Sequence, residues 1–86
     1  MTQYDLKILP AYFSAIRAER KRFEIRKDGI PPFSVGDELN LREWLPNSIG
    51  YTGNECLVRV TYLMRDYPDS FPACLEGYCI MSIEVV

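Results

Sequence analysis

"ERKRFEIRK", residues 19–27, is the stretch that decides the fold, because a helical pattern gives way in it to a strand pattern. From its middle onward, apolar and charged residues alternate with a period of two, which is typical of a strand. We expect Phe23 and Ile25 to face the core, and Glu24 and Arg26 to face away from it. The charged face of this strand would then be held rigidly by its apolar face.

The charge of the chain is divided unevenly along its length. Residues 1–27 have seven basic and three acidic side chains, and residues 28–86 have three basic and nine acidic ones, so +4 and −6 add to the net −2. Six of the ten basic residues lie between Arg17 and Lys27. The pI near 5.0 argues against a protein that coats nucleic acid, since such domains usually have a pI above about 9, but it permits a local basic groove.

The residues before this strand predict one strand and one helix. In "YDLKIL", residues 4–9, apolar side chains alternate as they do in a short strand. In "PAYFSAIRAE", residues 10–19, a proline suits the first turn of a helix, and Tyr12, Phe13 and Ile16 form an apolar stripe. We expect this helix to cover one end of the core.

Three more strands complete the predicted fold, and no second long helix is expected. They are "ELNLREW" (38–44), "ECLVRVTYL" (55–63) and "YCIMSIEVV" (78–86). The order predicts an α+β, mainly β class, arranged as a small, partly closed barrel; an open α+β sheet is the competing arrangement. The chain length suits one domain, residues 1–86. One face of the 55–63 strand is predicted to combine Cys56, Val58, Val60 and Tyr62.

The 38–44 strand contains a conflict between alternation and burial. Leu39 and Leu41 are expected inward, and strict alternation would then turn Glu43 inward and Trp44 outward. Either a bulge corrects the register at that point or a carboxylate is placed inside a cavity.

The connections are rich in proline and glycine. Paired prolines follow Lys27, and Gly36 with Asp37 predicts a tight turn into the next strand. A hairpin-length loop is expected over residues 45–54. Residues 64–77 have two prolines and no period, which is typical of a lid or a binding loop.

The residue inventory excludes several kinds of chemistry. The chain has no histidine, which removes the commonest general base and the nucleophile pairs that use it, so any chemistry must use carboxylates, lysine or tyrosine. Cys56, Cys74 and Cys79 lack framework or zinc spacing, so we expect reduced, mostly buried thiols, no metal and no cofactor. The apolar runs are too short for a bilayer and no signal peptide is recognisable, so a cytoplasmic protein without membrane contact is expected.

Lys21, Glu24 and Arg26 form the pattern K-x-x-E-x-R. A carboxylate between two cations would hold the guanidinium fork in place, and that fork could bind a phosphate or the polar edge of a base. A solvated ion-pair network is the alternative. Trp44 is either a core or rim residue or a stacking surface for a base. Beside it, Glu43 is the obvious acid.

The motif resembles the signature of ASCH domains in the PUA-like superfamily, G-x-K-x-x-E-x-R. Lys21, Glu24 and Arg26 occupy its charged positions, and Glu19 occupies the glycine position. The wider frame, "LKILPAYFSAI", "VGDELNLREW", "YTG" and "EGYCIMSIEV", resembles a bacterial and phage ASCH-like family of uncharacterised function. The resemblance implies a five- to six-stranded pseudobarrel with one main helix near the N-terminus and a cleft beside that helix, in a superfamily that largely binds RNA.

Three functions are therefore predicted in order. The first is binding of RNA or a nucleotide-like ligand: Lys21, Arg22 and Arg26 contact phosphate or base edges, Glu24 orients Arg26 or accepts from a base amine, and Trp44 or Tyr67 offers stacking. The second is an amidohydrolase acting on acylated cytidine, a function that the resemblance implies. Such enzymes use a threonine nucleophile where this chain has Glu24, so Lys21, Glu24 or Glu43 would have to act instead. The third is a module that binds a protein partner through its acidic rear surface.

Overall fold

A computed structural model describes residues 1–65 and 77–86 of the chain, and these residues form five strands and one helix. Each element lies close to its predicted position, except that the fourth strand begins at Gly50, so the second half of the loop predicted over residues 45–54 is strand instead. The elements are β1 (Gln3–Ile8), α1 (Pro10–Arg17), β2 (Phe23–Lys27), β3 (Glu38–Leu45), β4 (Gly50–Arg65) and β5 (Tyr78–Val85).

The five strands form one sheet in the order β1-β3-β4-β5-β2. β1 pairs with β3 in parallel, and every other neighbouring pair is antiparallel. The sheet curls into a half-barrel, which confirms the mainly β class, with a single helix among the described residues. Because β1 and β2 are the two edges of the order, curling turns these edge strands toward each other.

β4 is long enough to serve two partners, and a bulge interrupts the part that pairs with β5. Its first half pairs with β3 and its second half with β5, with a register shift between Val60 and Tyr62. Cys56, Val58 and Val60 are buried as predicted, but Tyr62 is 60% exposed. The predicted inward position of Tyr62 is therefore wrong, because the irregularity in the register changes the face that follows it.

A second irregularity settles the conflict seen in β3. The register with β4 shifts between Arg42 and Trp44, so the bulge, one of the two alternatives left open by the sequence, is present. Leu39 and Leu41 before it are fully buried, as predicted. Glu43 and Trp44 are both half-buried.

The core lies between the concave face of the sheet and α1. Phe13 and Ile16 of the helix are buried, whereas Tyr12 is 53% exposed, which corrects its predicted place in the apolar stripe. On a helix, Ile16 lies between the other two in angle, so burying Phe13 and Ile16 leaves Tyr12 at the margin. The buried cluster consists of Ile8, Phe13, Ile16, Phe33, Leu39, Leu41, Cys56, Val58, Val60, Cys79, Met81 and Ile83.

β2 has the predicted period with the opposite phase. Glu24 is 4% exposed, while Phe23 and Ile25 are 45% and 47% exposed, so the predicted inward and outward faces are wrong. Glu24 is opposite Met81 of β5, whose side chain is fully buried, and the two share the inner face. An edge strand accepts this inversion when the buried charge is paired, as it is here.

The turn before β3 is the predicted tight turn. Gly36 has a φ of 96°, a left-handed conformation that favours glycine. Asp37 is 4% exposed, and its carboxylate accepts hydrogen bonds from the backbone N–H groups of Thr2 (3.0 Å) and Ser34 (2.8 Å). These bonds tie the N-terminus to the start of β3.

The described part of the chain also bears on the cysteines and on membrane insertion. Cys56 and Cys79 are free and buried, as predicted, and burial raises the pKa of both thiols. Cys74 lies outside the described residues. None of the helices in the described part has the length and hydropathy that a membrane-spanning segment requires.

Candidate ligand-binding cleft

A cleft of about 480 Å³ lies along the seam where the two edge strands of the half-barrel approach each other. Its walls come from the end of β1, the start of α1 and β2. The lining residues are Lys7, Ile8, Leu9, Tyr12, Lys21, Phe23, Glu24, Ile25 and Arg26. The predicted cleft beside the first helix thus exists in the structure, and it contains the three charged residues of the K-x-x-E-x-R pattern.

Glu24 holds two cations at the floor of the cleft. Lys21 Nζ lies 2.6 Å from Glu24 Oε1, and Arg26 Nε lies 2.8 Å from Glu24 Oε2. The side chains of Lys21 and Arg26 are 17% and 24% exposed, against 5% for Glu24. The pattern is therefore a partly buried clamp rather than the solvated ion-pair network that was its alternative.

Each cation is fixed by a second contact to the backbone. Lys21 Nζ donates to the Phe23 carbonyl at 2.7 Å, and Arg26 Nη2 donates to the Lys7 carbonyl at 2.8 Å across the seam. A lysine has three N–H donors and an arginine five. One donor of Lys21 and the Nη1 group of Arg26 therefore have no partner among the described residues, and the clamp has a net charge of +1.

Aromatic rings border the lysine end of the cleft. Lys21 Nζ lies 4.6 Å from the centroid of the Phe23 ring and 5.5 Å from that of Tyr12. Both rings are about half exposed. The ammonium group is thus placed between two π-faces, with the carboxylate behind it.

Arg22 lies outside this cleft. It is exposed, its Nε donates to the Glu19 carbonyl at 3.0 Å, and it lines a separate depression of about 310 Å³. Lys21 borders both depressions. The structure therefore brings Lys21, Glu24 and Arg26 together but leaves Arg22 on a neighbouring surface.

Trp44 and Glu43 also lie outside the lining. The ammonium group of Lys7, which borders the cleft, is 4.5 Å from the centroid of the Trp44 ring. Glu43 Oε1 accepts hydrogen bonds from Thr52 (2.9 Å) and Asn54 (3.0 Å), both on β4. Trp44 is thus one residue removed from the cleft, and Glu43 belongs to a polar group on the β3–β4 hairpin.

Tyr67 and most of the predicted lid, residues 64–77, lie outside the described residues. Of that segment, Met64 and Arg65 end β4, and Gly77 precedes β5.

Six lining residues were not predicted as site residues: Lys7, Ile8, Leu9, Tyr12, Phe23 and Ile25. Lys7 supplies a carbonyl that only the curling of the sheet brings to Arg26. Tyr12, Phe23 and Ile25 were assigned to the core from their periodicity. For Tyr12, a signal was available in the sequence, since it is at the margin of the helical stripe. Nothing in the sequence indicated which face of β2 is buried.

The fold and the cleft together define the class of this protein: a small, mainly β half-barrel with a cationic, aromatic-bordered cleft along its open seam. The chain belongs to the family described as Domain of unknown function (DUF3850), whose model matches residues 3–83. A comparison with curated protein sequences gives no match.

Proposed function

We propose that this protein binds RNA or a nucleotide-like ligand in the cleft at the seam of the half-barrel. The observation that supports this most strongly is the Glu24 clamp. It holds an ammonium and a guanidinium group in fixed positions, with unused donors in a concave site. Fixed charged donors suit a phosphate or the polar edge of a base, and neighbouring rings suit a planar heterocycle.

The charge distribution agrees with a local site rather than a general nucleic-acid surface. The clamp lies within residues 1–27, which have a net charge of +4, and residues 28–86 have −6. An acidic remainder repels phosphates elsewhere on the molecule, so binding would concentrate at the basic cleft. A ligand of one or a few nucleotides fits this distribution better than a long duplex does.

Membership of the ASCH group of the PUA-like superfamily is part of the same proposal. It is supported by the five-stranded half-barrel, by a helix between β1 and β2, and by the K-x-x-E-x-R pattern on and just before β2. Glu24, the central residue of that pattern, is only 4% exposed. Its pairing with both cations gives a structural reason for a carboxylate at that position.

The test is a pair of titrations with the Arg26→Gln and Lys21→Gln variants. The first titrant is a fluorescein-labelled, unstructured 12-nucleotide RNA of mixed sequence, whose binding is followed by fluorescence. The second is the set of four nucleoside 5′-monophosphates, whose binding is measured by calorimetry. Because a hydrogen bond to a charged group is worth about 1.5–3 kcal/mol, each variant should lose about tenfold or more in affinity. Thermal unfolding of each variant verifies that it is folded.

Arg59→Gln is the matched control for this experiment. Arg59 is 41% exposed and pairs with Glu38 (3.3 Å) and Glu84 (3.7 Å), away from the cleft lining. Losing this exposed pair should cost little stability and no affinity for the nucleoside monophosphates. Folded Arg26→Gln and Lys21→Gln variants that bind as tightly as the wild type would exclude the cleft as the site.

Hydrolysis of an acylated cytidine ranks below binding on geometry. A general base needs a free oxygen near the water that it activates, but each Glu24 oxygen already accepts from a cation. Glu43 lies outside the cleft lining. Incubation with N4-acetylcytidine, followed by chromatography, tests this alternative, and release of acetate that Lys21→Gln abolishes would reverse the ranking.

The protein-partner module stays a prediction that pull-down would address.

A further inference from the structure

We infer that the outer face of β2, β5 and β4 is a stacking surface for the bases of single-stranded RNA that extends beyond the cleft. The inference rests on the proposed function, since it concerns nucleotides that neighbour the one held in the cleft. It assigns a role to Tyr62, Tyr78 and Ser82, which lie outside the cleft lining, together with Phe23 and Ile25, which also line the cleft.

The pairing registers place aromatic side chains in two rows of this face, with a third row between them. Phe23, Ser82 and Tyr62 are directly opposite one another on β2, β5 and β4. Tyr78 is opposite Lys27 at the other end of β2. The rings are accessible, because Phe23, Tyr62 and Tyr78 are 45%, 60% and 41% exposed.

Ser82 leaves room between two of these rings. It lies between Phe23 and Tyr62, which are two strand spacings apart, or about 10 Å. A small hydroxyl side chain at this point does not cover either ring. Planar bases can therefore approach both rings from solvent, as they do on other β-sheet surfaces that bind single strands.

The row between the Phe23–Tyr62 row and the Tyr78 row is apolar. Ile25 is opposite Ile80, which is opposite Met64. Ile25 is 47% exposed and the other two are half-buried. The bulge after Val60 is what turns Tyr62 outward onto this face.

The charges on and around this face favour a polyanion over a protein surface. Among the described residues of these three rows, Lys27 is the only one with a formal charge. Glu84, the next outer residue of β5, is paired with Arg59 at 3.7 Å. Two exposed basic residues flank the face along β2, with Arg22 directly before the strand and Lys27 at its end. Bases on the rings would leave the phosphates of the strand beside this basic edge.

Phe23 connects the two sites. Its ring borders the cleft and its side chain lies in the aromatic row of the outer face. A strand with one nucleotide in the cleft can therefore continue onto Tyr62 without leaving the protein surface. A single nucleotide would use the cleft alone.

The experiment compares Tyr62→Ala and Tyr78→Ala with the wild type, using the 12-nucleotide RNA and the nucleoside monophosphates described above. Stacking is worth about 1–3 kcal/mol per base, so each variant should bind the 12-nucleotide RNA about tenfold more weakly. Its affinity for monophosphates should not change. Tyr62→Phe should retain most of the RNA affinity, because it keeps the ring.

Tyr51→Ala is the matched control, since Tyr51 is also 41% exposed but lies at the far end of β4, where Arg42 stacks on its ring at 4.0 Å. Unchanged RNA affinity in both tyrosine variants, with the monophosphates still bound, would overturn this inference and leave the proposed function standing. A wild type that binds neither titrant would overturn both. Sedimentation without RNA tests whether a second copy of the chain covers this face instead. A dimer that Tyr62→Ala dissociates would show that it does, and would overturn the inference.

Discussion

Glu24 shows how one residue can determine both the stability and the chemistry of a small protein. A carboxylate that is 4% exposed is costly unless it is paired, and here each oxygen has its own cation. The same pairing limits the freedom of Lys21 and Arg26, so that their remaining donors point from fixed positions. The pairing of the buried carboxylate and the proposed ligand binding therefore involve the same three side chains.

Replacement of Glu24 by glutamine tests the structural part of this role. The substitution keeps the shape but removes the charge, which leaves two cations beside each other with a neutral partner. We expect the free energy of unfolding to fall by about 1–3 kcal/mol in urea titrations. Glu84→Gln, at an exposed position, is the control and should change it by less than about 0.5 kcal/mol. Equal losses in the two variants would contradict a structural role for the clamp.

Asp28 gives the molecule a predictable response to acid. Hydrogen bonds from Arg65, whose Nε lies 2.6 Å from Asp28 Oδ2, lower the pKa of the Asp28 carboxyl below its ordinary value. Arg65 Nη2 also donates to the Phe33 carbonyl at 2.6 Å, so the pair links β4 to the connection between β2 and β3. A lowered folded-state pKa stabilises the protein above the unfolded-state pKa of about 3.9, and this stabilisation is lost as the pH falls through the folded-state pKa.

Asp28→Asn should therefore be less stable than the wild type at pH 7, by about 1–3 kcal/mol. The difference should shrink steadily as the pH is lowered from about 4 toward 2, because the wild-type carboxyl then becomes protonated as well. Chemical unfolding at a series of pH values measures this. Asp5→Asn, on the exposed side of β1, is the control. A stability difference that stays constant over this range would show that Asp28 contributes by packing and not by charge.

At the scale of the element, the end of α1 explains why the strand with the clamp starts where it does. Glu19 N–H donates to the Ile16 carbonyl at 2.9 Å and Arg20 N–H donates to the Ala15 carbonyl at 2.9 Å. This pair of bonds is a Schellman motif, whose left-handed position is Glu19 with a φ of 61°. The turn reverses the chain just before Lys21. Glu19 occupies the position at which the ASCH signature, which this motif resembles, has glycine.

Glu19→Gly should make the protein more stable, by about 0.5–1 kcal/mol. A side chain in the left-handed region costs about 1–2 kcal/mol, and part of the relief is offset by the greater freedom of glycine in the unfolded chain. Thermal and urea unfolding measure the change. Ala18→Gly is the matched control, because Ala18 has a φ of −84° and glycine there should destabilise. A destabilised Glu19→Gly variant would mean that the Glu19 side chain contributes more than its conformation costs.

At the scale of the whole molecule, the curling of the sheet creates the cleft. β1 and β2 are at opposite ends of the strand order, yet Arg26 of one reaches the Lys7 carbonyl of the other at 2.8 Å. The site therefore combines residues from both edges of a single sheet. The cleft has a local positive field, because the clamp has a net charge of +1 and Lys7 adds a further positive charge.

This field predicts how binding depends on salt. If about three phosphates are contacted, the affinity for the 12-nucleotide RNA should fall about 20-fold between about 50 and 200 mM monovalent salt, since the logarithmic slope for single strands is about −0.7 per contact. Cytidine, which has no charge, serves as the control and should bind independently of salt. An RNA affinity that does not respond to salt would rule out phosphate contacts and direct attention to recognition of the bases alone.

The sequence by itself determined the order of the elements, because hydrophobic periods of 3.6 and 2 are local properties of the chain. The strands around Leu39 and Val58, the helix with Phe13 and Ile16, and the grouping of Lys21, Glu24 and Arg26 follow from that local pattern. Periodicity specifies the spacing of a face but not which face is buried. Only the tertiary structure decided that Glu24 lies inward, that a bulge turns Tyr62 outward, and that Lys7 meets Arg26 across the seam. These outcomes depend on contacts between segments far apart in the chain, and such contacts form only when the sheet assembles and curls.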